Sequence, residues 1–279
     1  MTTAPRLPEW PRDDKLPSSR KKQGKRNAKP TEAAAGCGGD RRSADCRAGR
    51  DTVTVIDVKS YPPTIKATFE APGSVVGPPG AIWISADESW GIVTSATRAD
   101  AEAKSGGISP DDRVAVFDLT SNPPKVVQTL TSGLGATQVR VSPDGTLALI
   151  ANRTEGTLSV FTVQDKRLTP VAKVDTANAK SLPSAVAFVD DRTALLTRGG
   201  DNMINVLHID GTKVTIDPRP ITAGVAPYTM DINAARTLAA VSNMGRGDGD
   251  ADSVSLIVRS TTTTACSAFM LWKARHYRK

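Results

Sequence analysis

The chain has 279 residues and a formal net charge of +7, from 36 Lys/Arg against 29 Asp/Glu. The excess sits at the ends: residues 1–50 hold 13 basic and 6 acidic residues, residues 261–279 hold 4 basic and none acidic, and 51–260 carry 19 against 23, a net of −4. A mildly acidic central part lacks the electrostatic footprint of a nucleic-acid binder, and with no run of 18 apolar residues the sequence offers no transmembrane helix.

Residues 1–50 show neither alternation nor repeat and are rich in Pro, Arg, Lys and Ala, so they read as a basic disordered tail. The run Arg20-Lys-Lys-Gln-Gly-Lys-Arg26 has no aromatic interleaving and reads as solvated. The first 30 residues contain no apolar run of seven, so no signal peptide is read in this sequence. The compartment is left open, periplasmic or extracellular where a native N-terminus has been lost.

From Asp51 onward two elements recur in phase. The first is a β-branched run: Asp51-Thr-Val-Thr-Val-Ile-Asp-Val58, Asp112-Arg-Val-Ala-Val-Phe-Asp-Leu119, Gly156-Thr-Leu-Ser-Val-Phe-Thr-Val163, Asn202-Met-Ile-Asn-Val-Leu-His-Ile209 and Asp252-Ser-Val-Ser-Leu-Ile-Val258. The second centres on Ile84, Val141, Phe188 and Ile232, at steps of 57, 47 and 44 residues. In its clearest copy Ser142-Pro-Asp-Gly145 supplies a tight reversal between two antiparallel strands.

One unit reads as four strands, near 136–142, 146–152, 157–163 and 167–174. Four short antiparallel strands at this period are the blade of a β-propeller. The expected fold is therefore all-β, a β-propeller of four-stranded antiparallel blades in an incomplete ring, with irregular N- and C-terminal tails. The repeats span 51–258: a half-unit at 51–70, then units near 80–131, 135–174, 182–218 and 226–258. The fourth unit is read with three strands, and 259–279 as an irregular C-terminal tail. The expected explanation for a ring of about 17 strands is a truncated or misframed chain, or one completed by a second chain through its open blade edges.

The segment from Gly135 to Arg153, followed by Gly156-Thr-Leu-Ser-Val-Phe-Thr-Val163, resembles the bacterial YVTN-type, lactonase-like propeller repeat. The naming motif itself is replaced by Leu149-Ile150-Ala151-Asn152, Leu196-Thr197-Arg198-Gly199 and Ala240-Val241-Ser242-Asn243. The resemblance implies a ring of about seven blades and includes lactonases that need Arg, Glu and His at a central channel. No such set maps onto this chain.

Candidate chemistry is sparse. Only two histidines occur, and His208 occupies a strand-end position held by Asp57, Asp118 and Thr162 in other copies, which marks a surface side chain. His276 has no recognisable partner. Asp248, Asp250 and Asp252 alternate with small residues like the opening of a calcium loop. Ser253 and Arg259 stand where such a loop would place Gly and Glu. Calcium is the one cofactor the sequence offers; none other is expected. Cys37, Cys46 and Cys266 have no zinc spacing. Trp83 and Trp90 flank a turn, as a carbohydrate platform or as cover over an unpaired blade face, and Trp83 shares an outward repeat position with Arg140 and Asp231.

The reading is a non-enzymatic propeller scaffold or binding protein, taking a protein, small-molecule or carbohydrate ligand at its loops. Its alternatives are a sugar-lactone hydrolase and a fragment without independent function.

Overall fold

The computed structural model describes residues 51–103, 107–176, 179–246 and 253–259, and the backbone of 269–273. The basic segment 1–50 with Cys37 and Cys46, the acidic loop with Asp248, Asp250 and Asp252, Cys266 and His276 lie outside the described residues.

The repeat becomes a series of antiparallel sheets. A two-stranded sheet comes first, β1 (Thr52–Asp57) and β2 (Thr64–Glu70). The next sheet joins β3 (Ile82–Ile84), β4 (Trp90–Thr94), β7 (Arg113–Asp118) and β8 (Lys125–Thr131) in that order. A short hairpin, β5 (Thr97–Ala99) with β6 (Ile108–Pro110), is inserted between β4 and β7, which accounts for the long first step of the repeat. The third sheet is β9 (Ala136–Val141), β10 (Leu147–Asn152), β11 (Thr157–Gln164) and β12 (Arg167–Asp175). The fourth is β13 (Pro183–Asp190), β14 (Thr193–Arg198), β15 (Met203–Asp210) and β16 (Lys213–Ile216), with β17 (Ile221–Thr222) also pairing β15. The fifth is β18 (Pro227–Ile232), β19 (Leu238–Asn243), β20 (Ser253–Arg259) and β21 (Phe269–Lys273).

This is an all-β fold consistent with an open propeller. It departs from the sequence expectation at β21, which completes the fifth sheet within a segment read as irregular tail. Ser255 to Arg259 pair antiparallel with Lys273 to Phe269. An outermost strand has one neighbour only, so its sequence is weakly constrained, and Phe269–Lys273 holds no β-branched residue to announce it.

Strand alternation sends every second side chain to one face and the rest to the other. Each inner sheet is apolar on both. Ala148 and Ile150 of β10 pack back onto Trp90, Ile92, Val114 and Val116, whereas Leu147, Leu149 and Ala151 pack forward onto Val186, Phe188, Ala194 and Leu196. Leu195, Ile204 and Val206 continue the series onto Met230, Ala239, Val241 and Ile257. Val53 and Ala71 cover Val93, Ala115 and Phe117 at the other end. At roughly 1.5–3 kcal/mol per buried aliphatic side chain, these face-to-face layers are the main source of stability. Gly91 is required for one of them, because a Cβ there would lie 2.4 Å from the Phe117 ring and 2.7 Å from the Trp83 carbonyl oxygen.

The first strands of successive sheets touch one another, β3 with β9, β9 with β13 and β13 with β18, and so gather about a common axis. Polar bridges lock the sheets in register. The Gln138 side chain accepts from the Val186 amide, the Asp191 carboxylate accepts from the Asp144 amide at 2.9 Å, and Arg259 pairs with Asp190 at 2.8 Å.

The turn between first and second strands carries the same backbone strain in three copies. Gly145 has φ 76°, and its repeat equivalents Glu88 and Arg236 have φ 58° and 56°. Left-handed backbone costs a side-chain-bearing residue about 1–2 kcal/mol. A Cβ on Gly145 meets nothing within 4 Å, so Gly145→Ala isolates the conformational cost. The expected loss is about 1 kcal/mol after the unfolded-state entropy of glycine is allowed for, read as a lowered midpoint in denaturant melts.

The same turns place a carboxylate where it collects hydrogen bonds. Asp87 is held down at about 2 by bonds from Ser85 and Ser89. At its equivalent Asp144, partial burial favours the neutral form, but bonds from Ser142 and Thr146 outweigh it and the shift is also downward. Both native values lie below the ordinary 3.8. Their contribution is thus present in full above that value and is lost as pH falls toward 2. Denaturant midpoints measured from pH 5 to pH 2 are expected to fall, and to fall less steeply in the Asp87→Asn, Asp144→Asn double variant.

Candidate functional site

The position immediately before the centre of each repeat is held by Trp83, Arg140, Ala187 and Asp231. In the sequence it reads as outward. The fold turns it toward the common axis, because these residues stand on the first strands, which converge there. All four line one pocket of about 270 Å³, closed on one side by the turn carrying Asn233, Ala234 and Arg236. Repetition brings together residues that no short motif links.

Two of the lining residues are guanidinium groups. Arg140 is half-buried, donates to the Val139 carbonyl at 2.9 Å, and makes no ion pair within 4.0 Å among the described residues. Burial pushes its guanidinium below the usual arginine range, and the Asp231 carboxylate across the pocket only partly opposes this. Arg236 donates to the Phe188 carbonyl at 2.9 Å, which fixes it over the first strand of the preceding sheet. Asp231 and Asn233 are exposed to solvent within the pocket mouth. Trp83 forms the apolar wall. Its ring meets Trp90 edge-on at 5.0 Å, and Trp90 is buried between the second and third sheets. The tryptophan pair therefore does not cover an unpaired blade face.

A desolvated cation without a counter-ion is costly unless something neutralises it. The arrangement can hold a small anion against Arg140 and Arg236, take hydroxyl groups at Asp231 and Asn233, and lay a ring face on Trp83. Among the described residues the pocket lacks histidine, serine and cysteine, so it contains no nucleophile and base pair of the kind used in acyl transfer.

At the opposite end of the first strands Arg153 knits three sheets together. It donates to the Leu182 carbonyl at 3.3 Å and to the Ser184 hydroxyl, and stands over the Tyr228 ring at 5.3 Å. Burial again lowers its pKa, with Tyr228 opposing.

His208 is exposed on β15, two strands outward from the pocket-lining β13 in the same sheet, and shares a 3.1 Å contact with the Asp217 carboxylate. That contact and the Arg219 amide hold Asp217 below the usual carboxylate range. The acidic residues proposed for calcium, Asp248, Asp250 and Asp252, lie outside the described residues. Among the described residues no three His, Cys, Asp or Glu side chains gather at one point. Sequence reasoning missed Arg140 and Arg236 as site residues. For Arg140 the signal was present in the repeat alignment, where one position is held by Trp83, Arg140, Ala187 and Asp231; Arg236 stands instead at the turn position of Glu88 and Gly145, where nothing in the sequence marks it.

No protein-family model matches the chain, and neither does any curated protein sequence. Solved structures do. A candidate 6-phosphogluconolactonase from Bacteroides uniformis superposes with a TM-score of 0.58 at 14% identity, over 79% of this chain and 63% of its own. The periplasmic gluconolactonase of Pseudomonas aeruginosa gives 0.55 at 17% identity, over 78% and 62%. A protein from Lactobacillus plantarum gives 0.54 at 18%, over 79% and 63%. The likeness is one of fold, a lactonase-like β-propeller, and the chain spans about three-fifths of the length of these structures.

The recurrent asparagine that ends the second strand has a structural role. Asn152 is fully buried; its side-chain oxygen accepts from the Gly133 amide and the Ser132 hydroxyl, both at 3.1 Å, and its amide donates to Thr157 at 3.0 Å and Ser159 at 2.8 Å. Asn243 repeats the donor half, reaching Ser255 at 2.9 Å. Removing Asn152 strands several buried partners at about 1–3 kcal/mol each. Asn152→Ala is expected to destabilise the fold by about 3 kcal/mol in chemical denaturation, without altering any residue of the pocket.

Proposed function

We propose that this chain is a non-enzymatic binding protein of the YVTN/lactonase-like type, which holds a small anionic, hydroxyl-bearing ligand in the pocket at the convergence of its first strands. The observation that carries this reading is Arg140, a partly desolvated cation lining a pocket without an ion-pair partner within 4.0 Å among the described residues. Carboxylate and phosphate are the anions whose geometry matches a guanidinium. Asp231 and Asn233 add a hydrogen-bond acceptor and an amide for ligand hydroxyls, and Trp83 adds a flat apolar surface of the kind that sugars stack upon. Sugar acids meet all three requirements, and the lactonase neighbours make them the first class to try.

Hydrolysis of a sugar lactone is the second reading, favoured by those neighbours and by Asp231 as the carboxylate in the pocket. It requires activation of water by a single exposed carboxylate, with only the two arginines to receive developing oxyanion charge.

Isothermal titration of the full chain with gluconate and with inorganic phosphate tests the proposal. Saturable binding of at least one probe is expected, weakened by about ten- to a hundredfold in Arg140→Met, as for loss of a charge-assisted contact. The melting temperature of that variant should hold or rise, since it removes an uncompensated cation. A chain that binds neither probe, or binds indifferently to the substitution, would sink the idea. Turnover of glucono-lactone that vanishes in Asp231→Asn would establish the hydrolase instead.

A further inference from the structure

We propose that the axial pocket selects a monoanion, a hydroxyl-bearing carboxylate, against phosphate and phosphorylated sugars, and that Asp231 is the residue that sets this limit. This selectivity rests on the reading of the pocket as an anion site and names the class of anion it takes. Among the described residues the pocket wall holds two guanidiniums, Arg140 and Arg236, against one carboxylate, Asp231, a net of +1. One negative charge on a ligand brings that wall to neutrality. A dianion overshoots it, and its second charge finds no cation left to meet it in a half-buried place where such imbalance is costly.

The two cations are unequal. Arg236 is tied to the Phe188 carbonyl of the preceding sheet at 2.9 Å. Arg140 donates only to the carbonyl of its own neighbour Val139. Asp231 is fixed in turn, because one of its carboxylate oxygens accepts from the Ile232 amide at 2.9 Å. From that place its charge already acts on Arg140 across the pocket. A ligand carboxylate therefore meets one strongly uncompensated guanidinium with a fixed negative charge beyond it, an arrangement that rewards the first negative charge and penalises the next.

The surroundings press the same way. The turns between first and second strands, at 85–89, 142–146, 190–192 and 233–237, all stand at this end of the sheets. They carry five carboxylates, Asp87, Glu88, Asp144, Asp190 and Asp191, but only two arginines, Arg192 and Arg236. Arg259 pairs with Asp190 at 2.8 Å and Lys59 reaches Glu88 at 4.0 Å. Asp87 and Asp144 are held in the ionised form by the hydrogen bonds of their turns. Repulsion from an acidic rim grows with the charge of the ligand and reaches about a Debye length, ~8 Å at physiological ionic strength. Hydroxyl groups escape it and still gain hydrogen bonds at Asp231 and Asn233. A polyhydroxy monocarboxylate satisfies these constraints together.

Gluconate and 6-phosphogluconate share a carboxylate and hydroxyls and differ by one phosphate, so they are the probes, with inorganic phosphate as the third. Each is titrated calorimetrically into the full chain at about pH 8, where phosphate groups carry their second charge. Gluconate is expected to bind about tenfold or more tightly than either phosphate-bearing probe. Asp231→Asn keeps the shape of the side chain and raises the wall to two uncompensated cations, and should narrow that preference about threefold or more. Asp231 is exposed, so the variant should fold, which its melting temperature checks. Raising the salt from about 0.05 to about 0.5 M should narrow the preference of the unsubstituted chain as well, a readout that needs no variant. A preference for gluconate that ignores both Asp231→Asn and salt would assign the selection to size and overturn the proposal. Phosphate or 6-phosphogluconate binding as tightly as gluconate would overturn it too, while leaving the anion pocket standing. Binding of none of the three would remove the pocket reading itself, and the selectivity with it.

Discussion

Everything in this structure depends on the requirement that a sheet apolar on both faces be covered on both faces. A four-stranded blade with Leu147, Leu149 and Ala151 on one side and Ala148 and Ile150 on the other cannot stand alone in water. Each blade meets that requirement by stacking on the next, and the stack fans about the axis where the first strands meet. Stability is then a chain of nearest-neighbour terms. The polar bridges between sheets, such as Asp144 with Asp191 and Arg259 with Asp190, add register more than energy, because partly exposed pairs contribute little.

The same arrangement explains why chemistry collects where it does. Positions inside the blade stacks are committed to packing, and the outer strands β8 and β12 are largely exposed or half-buried. The first strands alone bring side chains from several blades within reach of one another. A position that alternates out of the sheet on each of them is free to vary, and here it carries indole, guanidinium, methyl and carboxylate in turn. A site made this way has no local sequence signature, since its members lie 44 to 57 residues apart.

Legibility followed the same division. Strand spans in the third sheet agree with the sequence reading to within a residue or two, because the Ser-Pro-Asp-Gly turn and the β-branched run are both strong local signals. The fifth sheet's outer strand was hidden, because an edge strand needs one backbone partner and no particular side chains. The pocket was half legible. The alignment of Trp83, Arg140 and Asp231 identified an unusual position, but its direction relative to the ring axis is a property of how blades are stacked. The role of Asn152 was readable as a recurrence and not as a function, since only burial and four hydrogen-bond partners distinguish a structural amide from a ligand-facing one.

The two features left unsatisfied by the packing logic have different physical characters, which is why they point to different occupants. At the half-sheet the groups left uncovered among the described residues are a strand edge and isoleucine side chains. Such groups are satisfied by backbone donors and acceptors in extended register and by apolar area to bury, which polypeptide supplies, this chain's own included. At the axial pocket the uncompensated group is a guanidinium, held by Val139 in a half-buried site and answered by Asp231 from beyond ion-pair range. Further packing there would deepen its desolvation without supplying a charge, so no blade could serve as its partner. An anion small enough to enter beside Trp83 lowers that cost at once, and the depth of the burial sets how strongly charge is selected over shape.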